Sequence, residues 1–268
     1  MPNTRLFSRR ALVACLVLLV CSLHPSLVRA QTATAARASS DSSRLTLERI
    51  FGSREFAARG ARSLRWTADG KGYTALEPSA SVPDAKDLVR YDAASGRREI
   101  VVRAERLVVP GDTASIDIED YQFSPDGRRL LIFTDARRVW REYTRGDYWV
   151  LDVAGGAPRR IGGAAAASDS LMFAKFSPDG DRVAFVRANN LYVQNVATGA
   201  VTALTTDGSR TIINGTFDWV YEEELSLRDG FRWSPDGTHI AYWQLDDSGV
   251  RDFLLIDDTD SLYSYTIP

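Results

Sequence analysis

The sequence predicts an all-β fold, a β-propeller of four-stranded antiparallel blades, on three observations. A turn phrase recurs as Trp66-Thr-Ala-Asp-Gly70, Phe123-Ser-Pro-Asp-Gly127, Phe176-Ser-Pro-Asp-Gly180 and Trp233-Ser-Pro-Asp-Gly237. Its glycines are 57, 53 and 57 residues apart. A strand-like run follows each glycine: Tyr73-Thr-Ala-Leu76, Leu130-Leu-Ile-Phe133, Val183-Ala-Phe-Val186 and Ile240-Ala-Tyr-Trp243. A β-sandwich with accidental turn similarity would not repeat one phrase at near-equal spacing. WD-type propellers have shorter units and carry Gly-His and Trp-Asp signatures that are missing here.

The phrase has the chemistry of a tight hairpin. Ser at position i, Pro at i+1 and Gly at i+3 suit a type I turn. Proline presets φ, and glycine accepts the left-handed conformation from which the next strand restarts. The aromatic before Ser should end the incoming strand and point into the sheet stack. Third strands are Asp147-Tyr-Trp-Val-Leu-Asp152 and Leu191-Tyr-Val-Gln-Asn195, with residues 201–205 as a fourth. Residues 88–91 and 99–102 take these parts in the first unit. The stretch 45–268 thus holds about four blades of a ring that is not complete. It ends in a strand-rich run, as a fragment of a longer reading frame would.

Residues 1–30 read as an export signal. Arg5, Arg9 and Arg10 precede an apolar run over residues 11–21, and Val28-Arg29-Ala30 offers small residues for cleavage before Gln31. That run is shorter than the ~20 apolar residues of a membrane span. Partial twin-arginine and lipobox likenesses, at Ser8-Arg9-Arg10 and Leu12-Val13-Ala14-Cys15, are incomplete. The expected location is periplasmic or secreted, with no membrane role beyond the signal. Residues 31–44 are Ala/Ser/Thr-rich and read as a linker.

Composition narrows the chemistry. The chain is 44% hydrophobic and 25% charged, which is ordinary globular composition. Net charge is −2, and −6 without the first thirty residues, so no nucleic-acid partner is expected. Cys15, Cys21 and His24 leave with the signal. The remainder has no thiol and one histidine, His239, which excludes disulfides, cysteine nucleophiles and multi-histidine metal sites. The acidic runs 117–120 and 257–260 lack the spaced loop of a calcium site and read as turns and blade rims. No cofactor and no metal are expected.

Two insertions interrupt the repeat. In the second unit, residues 134–146 carry Trp140 and Arg141 in a connection too long for a two-residue hairpin. An arginine beside an aromatic presents a planar donor fork to a carbonyl or carboxylate. It can equally be an exposed arginine in a polar loop. Before the fourth phrase stands Phe217-Asp218-Trp219-Val-Tyr221-Glu222-Glu223-Glu224. Asp218 suits an N-cap, and acids suit a first helical turn. Three adjacent carboxylates are either a solvated face or a cation site. An ammonium has three donors and no acceptor, so two carboxylates can satisfy it.

Asp218-Trp-Val-Tyr-Glu-Glu-Glu224, followed by Trp233-Ser-Pro-Asp-Gly-Thr-His-Ile-Ala-Tyr242, resembles the dipeptidyl peptidase IV family of serine peptidases. The Trp140-Arg141 segment resembles that family's arginine loop, and Leu45-Thr-Leu-Glu-Arg-Ile-Phe51 the start of the propeller in bacterial members. The resemblance implies an eight-bladed propeller joined to a C-terminal α/β-hydrolase domain that removes dipeptides, often after Pro or Ala. It implies that Glu223 and Glu224 bind the free amino terminus of a peptide substrate and Arg141 its penultimate carbonyl. Trp140, Asp218, Trp219 and Tyr221 would support them. Full-length members are often homodimers. Anchoring the ammonium a fixed distance from the nucleophile makes the site a ruler for two residues.

The hydrolytic machinery is absent from these residues. No Gly-x-Ser-x-Gly elbow occurs, and His239 follows a blade hairpin where a triad base is not expected. The chain is therefore expected to hold the selector without the catalyst, to cleave no dipeptide substrate and, with raw sheet edges, to be poorly soluble. A non-catalytic periplasmic propeller scaffold is the alternative, although it gives no reason to cluster carboxylates with an arginine loop. An acylaminoacyl or oligopeptidase relative lacks the paired amine-binding glutamates.

Overall fold

The computed structural model describes residues 44–57, 64–164, 166–256, 258–259 and 265–267. The export signal and all of the linker but Arg44 lie outside the described residues, as do Asp257 and Asp260. The chain divides into two units, Met1–Arg59 and Gly60–Pro268. In the first, within the stretch that resembles a propeller's opening, helix α1 (Leu47–Phe51) forms with Thr46 as its N-cap.

The second unit is built of antiparallel strands. β1 (Arg65–Trp66), β2 (Gly72–Pro78), β3 (Lys86–Asp92) and β4 (Arg98–Val102) make a four-stranded blade in chain order. β5 (Asp120–Phe123), β6 (Arg129–Val139), β7 (Glu142–Asp152) and β8 (Arg159–Arg160) make the second. β9 (Leu171–Phe176), β10 (Arg182–Arg187), β11 (Asn190–Asn195) and β12 (Val201–Ala203) make the third. The fourth strand of that blade is shorter than the sequence suggests, since Leu204 and Thr205 leave it to bond back to Leu191.

Blades two and three are continuous. β7 pairs with β9 through Arg145↔Met172 and Gly146↔Leu171, so one ladder runs across both. In the fourth unit β13 (Ile212–Asn214) pairs with β16 (Gln244–Asp246), β14 (Phe231–Trp233) with β15 (Ile240–Tyr242), and β17 (Phe253–Leu255) with β18 (Tyr265–Ile267).

The recurring phrase makes one turn four times. The glycine N–H donates to the carbonyl of Thr67, Ser124, Ser177 or Ser234 at 2.8–2.9 Å. Gly70, Gly127, Gly180 and Gly237 all have φ between 64° and 74°, which other residues adopt only with strain. The Ser hydroxyl works twice. At Ser124 it donates to Asp126 at 2.6 Å and accepts from the Arg129 N–H at 2.9 Å, and Ser177 and Ser234 repeat the pattern. Trp66, Phe123, Phe176 and Trp233 each end the incoming strand. Trp66 differs from expectation, being 71% exposed instead of packed between sheets.

Alternation along the inner strands builds the core. Leu130 and Ile132 of β6 pack toward the first blade with Leu88, Val102 and Tyr121. Leu131, one residue out of phase, packs toward the third with Val150, Phe176, Val183 and Phe185. Ala184 and Val186 of β10 turn the other way, onto Phe231 of the fourth unit. Blades two and three are thus buried on both faces, which explains their nearly unbroken apolar runs.

Candidate functional site

The second-blade insertion is not a loop. β6 and β7 continue past the body of the blade as a hairpin arm, pairing down to Val139↔Glu142. Trp140 and Arg141 alone connect the strands, so the expectation of a long connection is corrected: the extra residues lengthen both strands and leave a two-residue turn. The register skips between Thr134 and Arg137, where Asp135 has a φ of 51°. Such bulges bend a strand and re-aim what it carries. Arg141 thereby rides at the tip of a bent arm.

The fourth-unit insertion is a short helix on a narrow neck. Asp218 caps α2 (Trp219–Leu225), its carboxylate accepting the Tyr221 N–H at 2.8 Å. Ser226, at φ 55°, ends the helix with its N–H on the Tyr221 carbonyl. At the neck the Gly230 N–H donates to the Gly215 carbonyl at 3.1 Å, and Thr216 Oγ1 donates to the Arg228 carbonyl at 3.0 Å. A Cβ on Gly230 would meet the Gly215 carbonyl carbon at 2.8 Å, so no side chain fits there without displacing backbone. Phe217 is buried and fixes the insertion to the unit beneath it. It stacks on Tyr221 at 5.5 Å and leans on Trp243 at 6.0 Å.

The arm and the helix meet. Arg141 Nη2 forms an ion pair with Glu223 Oε1, joining residues 82 apart in the chain. The Glu223 side chain is 12% exposed, while that of Arg141 is 73% exposed and turns most of its donor fork outward. The three glutamates have three environments. Glu222 is buried, Glu223 is half-buried against Arg141, and Glu224 is exposed. The ion pair unites Arg141 with Glu223, and Glu224 follows on the same short helix toward solvent.

Two further residues complete the cluster, and the pattern of the sequence did not single them out. Arg228 Nη2 donates to Glu142 Oε1 at 3.4 Å, and Arg228 Nε lies 3.7 Å from Glu222 Oε1. Burial pushes the Glu222 carboxyl above its ordinary range, the Arg228 charge opposes this, and Glu142 and Glu223 add to it. The one available signal was adjacency: Glu142 follows Arg141, and Arg228 follows the acidic helix by one turn.

Beside the cluster lies a cavity of about 300 Å³, lined in part by Trp140, Asp218, Trp219, Glu222, Arg145 and Asp247. Trp140, Asp218 and Trp219, expected to support the site, wall this space. Tyr221 instead packs on Phe217 beneath the helix. Burial and the nearby Asp218 and Asp246 charges raise the Asp247 carboxyl. His239 lies in the fourth turn, its N–H on Ser234 Oγ and its Nδ1 2.7 Å from Thr238 Oγ1. Among the described residues no group of three or more His, Cys, Asp or Glu side chains is placed to hold a metal ion.

Comparison with known proteins places the chain in a family. Residues 124–267 match the family described as the dipeptidyl peptidase IV (DPP IV) N-terminal region. A probable dipeptidyl-aminopeptidase B of Ajellomyces dermatitidis is 30% identical over 220 residues, which is 78% of this chain and 23% of that relative. Dipeptidyl aminopeptidase B of Saccharomyces cerevisiae is 34% identical over 154 residues, 56% of this chain and 18% of that relative. The crystal structure of Porphyromonas gingivalis dipeptidyl peptidase 4 superposes with a TM-score of 0.70 at 30% identity, covering 83% of this chain and 30% of that one. The chain thus spans roughly a quarter of the length of the curated relatives it matches. The matched region contains three of the four turns, the hairpin arm and the glutamate helix, and on that ground the chain belongs to the dipeptidyl peptidase IV family.

Proposed function

We propose that this chain is the substrate-selecting propeller region of an exported serine dipeptidyl aminopeptidase, and that it recognises the free amino end of a peptide. The contact between Arg141 and Glu223 carries the reading. A guanidinium from one blade and a carboxylate from another converge, with a second carboxylate, Glu224, next along the helix.

The charge balance supports an incoming cation. Arg141 and Arg228 face Glu142, Glu222 and Glu223, so two guanidiniums meet three carboxylates before Glu224 is counted. A peptide ammonium supplies the missing positive charge and up to three N–H donors. Glu223 Oε2 and the Glu224 carboxylate accept from it, while the outward part of the Arg141 fork donates to the peptide carbonyl. The site positions substrate; bond cleavage needs a nucleophile, and these 268 residues contain no Gly-x-Ser-x-Gly elbow.

Calorimetric titration of the purified chain with Ala-Pro-Ala and with its N-acetyl form tests this. The free-amine peptide should bind at least tenfold more tightly. Glu223→Gln and Glu224→Gln should each narrow that preference, and the double variant should erase it. Equal binding of both peptides to the unaltered chain sinks the reading. No Ala-Pro should be released from the tripeptide by the chain itself.

A further inference from the structure

We propose that Arg228 is a positioning residue for the amine site, a second guanidinium that ties the hairpin tip to the glutamate helix so that Arg141 and Glu223 meet. This rests on the reading of amine recognition above.

The first observation is the reciprocity of the contacts. The hairpin tip offers Arg141 to Glu223 of the helix segment, and that segment returns Arg228 to Glu142 of the tip. Arg141 and Glu142 are neighbours, as are Glu222 and Glu223, so the two links lie side by side. A single pair leaves a long side chain free to swivel, whereas two crossed pairs define both distance and orientation. The exposed Arg141 link is screened by water. Arg228 is the less exposed of the two guanidiniums, its side chain 30% exposed against 73% for Arg141, and it reaches Glu142 of the tip, itself 52% exposed, from beside the buried Glu222.

The second observation is what Arg228 leaves if removed. Glu222 Oε1 and Arg228 Nε are both buried, and neither has a hydrogen-bond partner among the described residues. They face each other at 3.7 Å, so the partner charge is what compensates each. Without it nothing offsets the burial of the Glu222 carboxyl, and Glu142 loses its partner on the helix segment, so the tie between tip and helix is gone. The backbone of Arg228 has a separate duty, its carbonyl accepting from Thr216 Oγ1, and side-chain variants leave that intact.

The experiment uses the purified chain as Arg228→Gln and Arg228→Lys. Hydrogen exchange followed by mass spectrometry reads the tip, residues 138–144, and the helix, residues 218–226. In Arg228→Gln the tip amides should exchange at least fivefold faster, and Arg228→Lys should restore at least half of the protection. The turns of the third blade should be unaffected. In parallel, Arg228→Gln should weaken free-amine Ala-Pro-Ala about tenfold and leave the N-acetyl peptide within twofold. Unchanged tip exchange in Arg228→Gln overturns the proposal, as does a loosened tip with undiminished free-amine binding. Should the unaltered chain prefer neither peptide, amine recognition fails, and the exchange result alone then judges the tie. Should Arg228→Gln not fold, Arg228→Lys decides: intact tip protection and affinity in a chain that keeps only the charge support the tie, and a fully loosened tip refutes it.

Discussion

Arg129 and Arg182 make the same hydrogen bond one blade apart. Each stands two residues beyond the turn glycine of its own repeat and donates to the carbonyl of the next repeat's turn glycine. Arg129 Nη1 reaches Gly180 at 2.6 Å, and Arg182 Nη2 reaches Gly237 at 2.8 Å. Arg129 adds Asp181 at 2.9 Å, and the Arg182 guanidinium lies 5.1 Å from the Trp233 ring centre. The turns are therefore linked to one another around the rim. Gly72 holds this position in the first repeat and has no arm to extend. There Arg65 contacts Asp120, and Thr74 Oγ1 meets the Tyr121 hydroxyl at 2.8 Å.

Replacing Arg129 with Met should lower stability by about 1–2 kcal/mol, a charge-assisted bond discounted for partial exposure. Arg182→Met should cost a similar amount. Urea unfolding followed by tryptophan fluorescence measures both. Losses under about 0.3 kcal/mol would show that these rim arginines do not help to hold the blades together.

Acid should attack the turns through a defined window. The Ser hydroxyls and following backbone N–H groups hold Asp126 and Asp179 below the usual carboxylate range, and hold Asp236 down to about 2. A carboxyl depressed in the folded chain contributes stability above its unfolded value, about 4, and loses it as pH falls through the folded value. The urea midpoint should therefore fall between about pH 4 and pH 2 from this source. In the triple variant Ser124→Ala, Ser177→Ala, Ser234→Ala the midpoint should be lower at pH 6 and fall less on acidification. A gap between the two chains that stays constant with pH would exclude these carboxylates as its cause.

Trp140 occupies the tip turn with a φ of 52°, where residues with a Cβ are strained. In an ordinary strand Gly is less stable than Ala by up to about 1 kcal/mol. At Trp140 that order should invert, with Trp140→Gly more stable than Trp140→Ala by about 1 kcal/mol in urea. Both variants lose a wall of the cavity and should bind free-amine peptide more weakly than the unaltered chain. Ala above Gly would mean that the turn is not strained.

The blades were legible because the turn is chemically overdetermined. Ser, Pro, Asp and Gly each satisfy a different requirement, so four copies could be read without knowing the rest. Asp218 was legible as a cap for the same reason, its carboxylate being where a first turn needs an acceptor. The hairpin arm was not. Residues 134–146 are polar and arginine-rich because both faces of the arm leave the blade body, so the apolar alternation that marks a strand is missing. The burial of Glu222 was equally hidden. Three identical side chains in a row give no sign of which faces inward, and only the path of Arg228 back toward Glu142 distinguishes them. The ladder joining blades two and three depends on residues 25–27 apart meeting at Gly146 and Leu171, which no local pattern announces.

The hairpin arm has a geometric consequence. A strand advances about 3.4 Å per residue and alternates its faces, so the reach of Arg141 is adjustable only in coarse steps. Cutting one opposed pair of residues retracts the guanidinium by about 3.4 Å and turns it to the far side. Cutting two withdraws it about 7 Å with its orientation kept. Neither setting lets it touch a glutamate anchored on its own glycine neck. Among descendants of such a chain, arm length should be inherited in increments of two residues per strand, or altered together with the helix it must find.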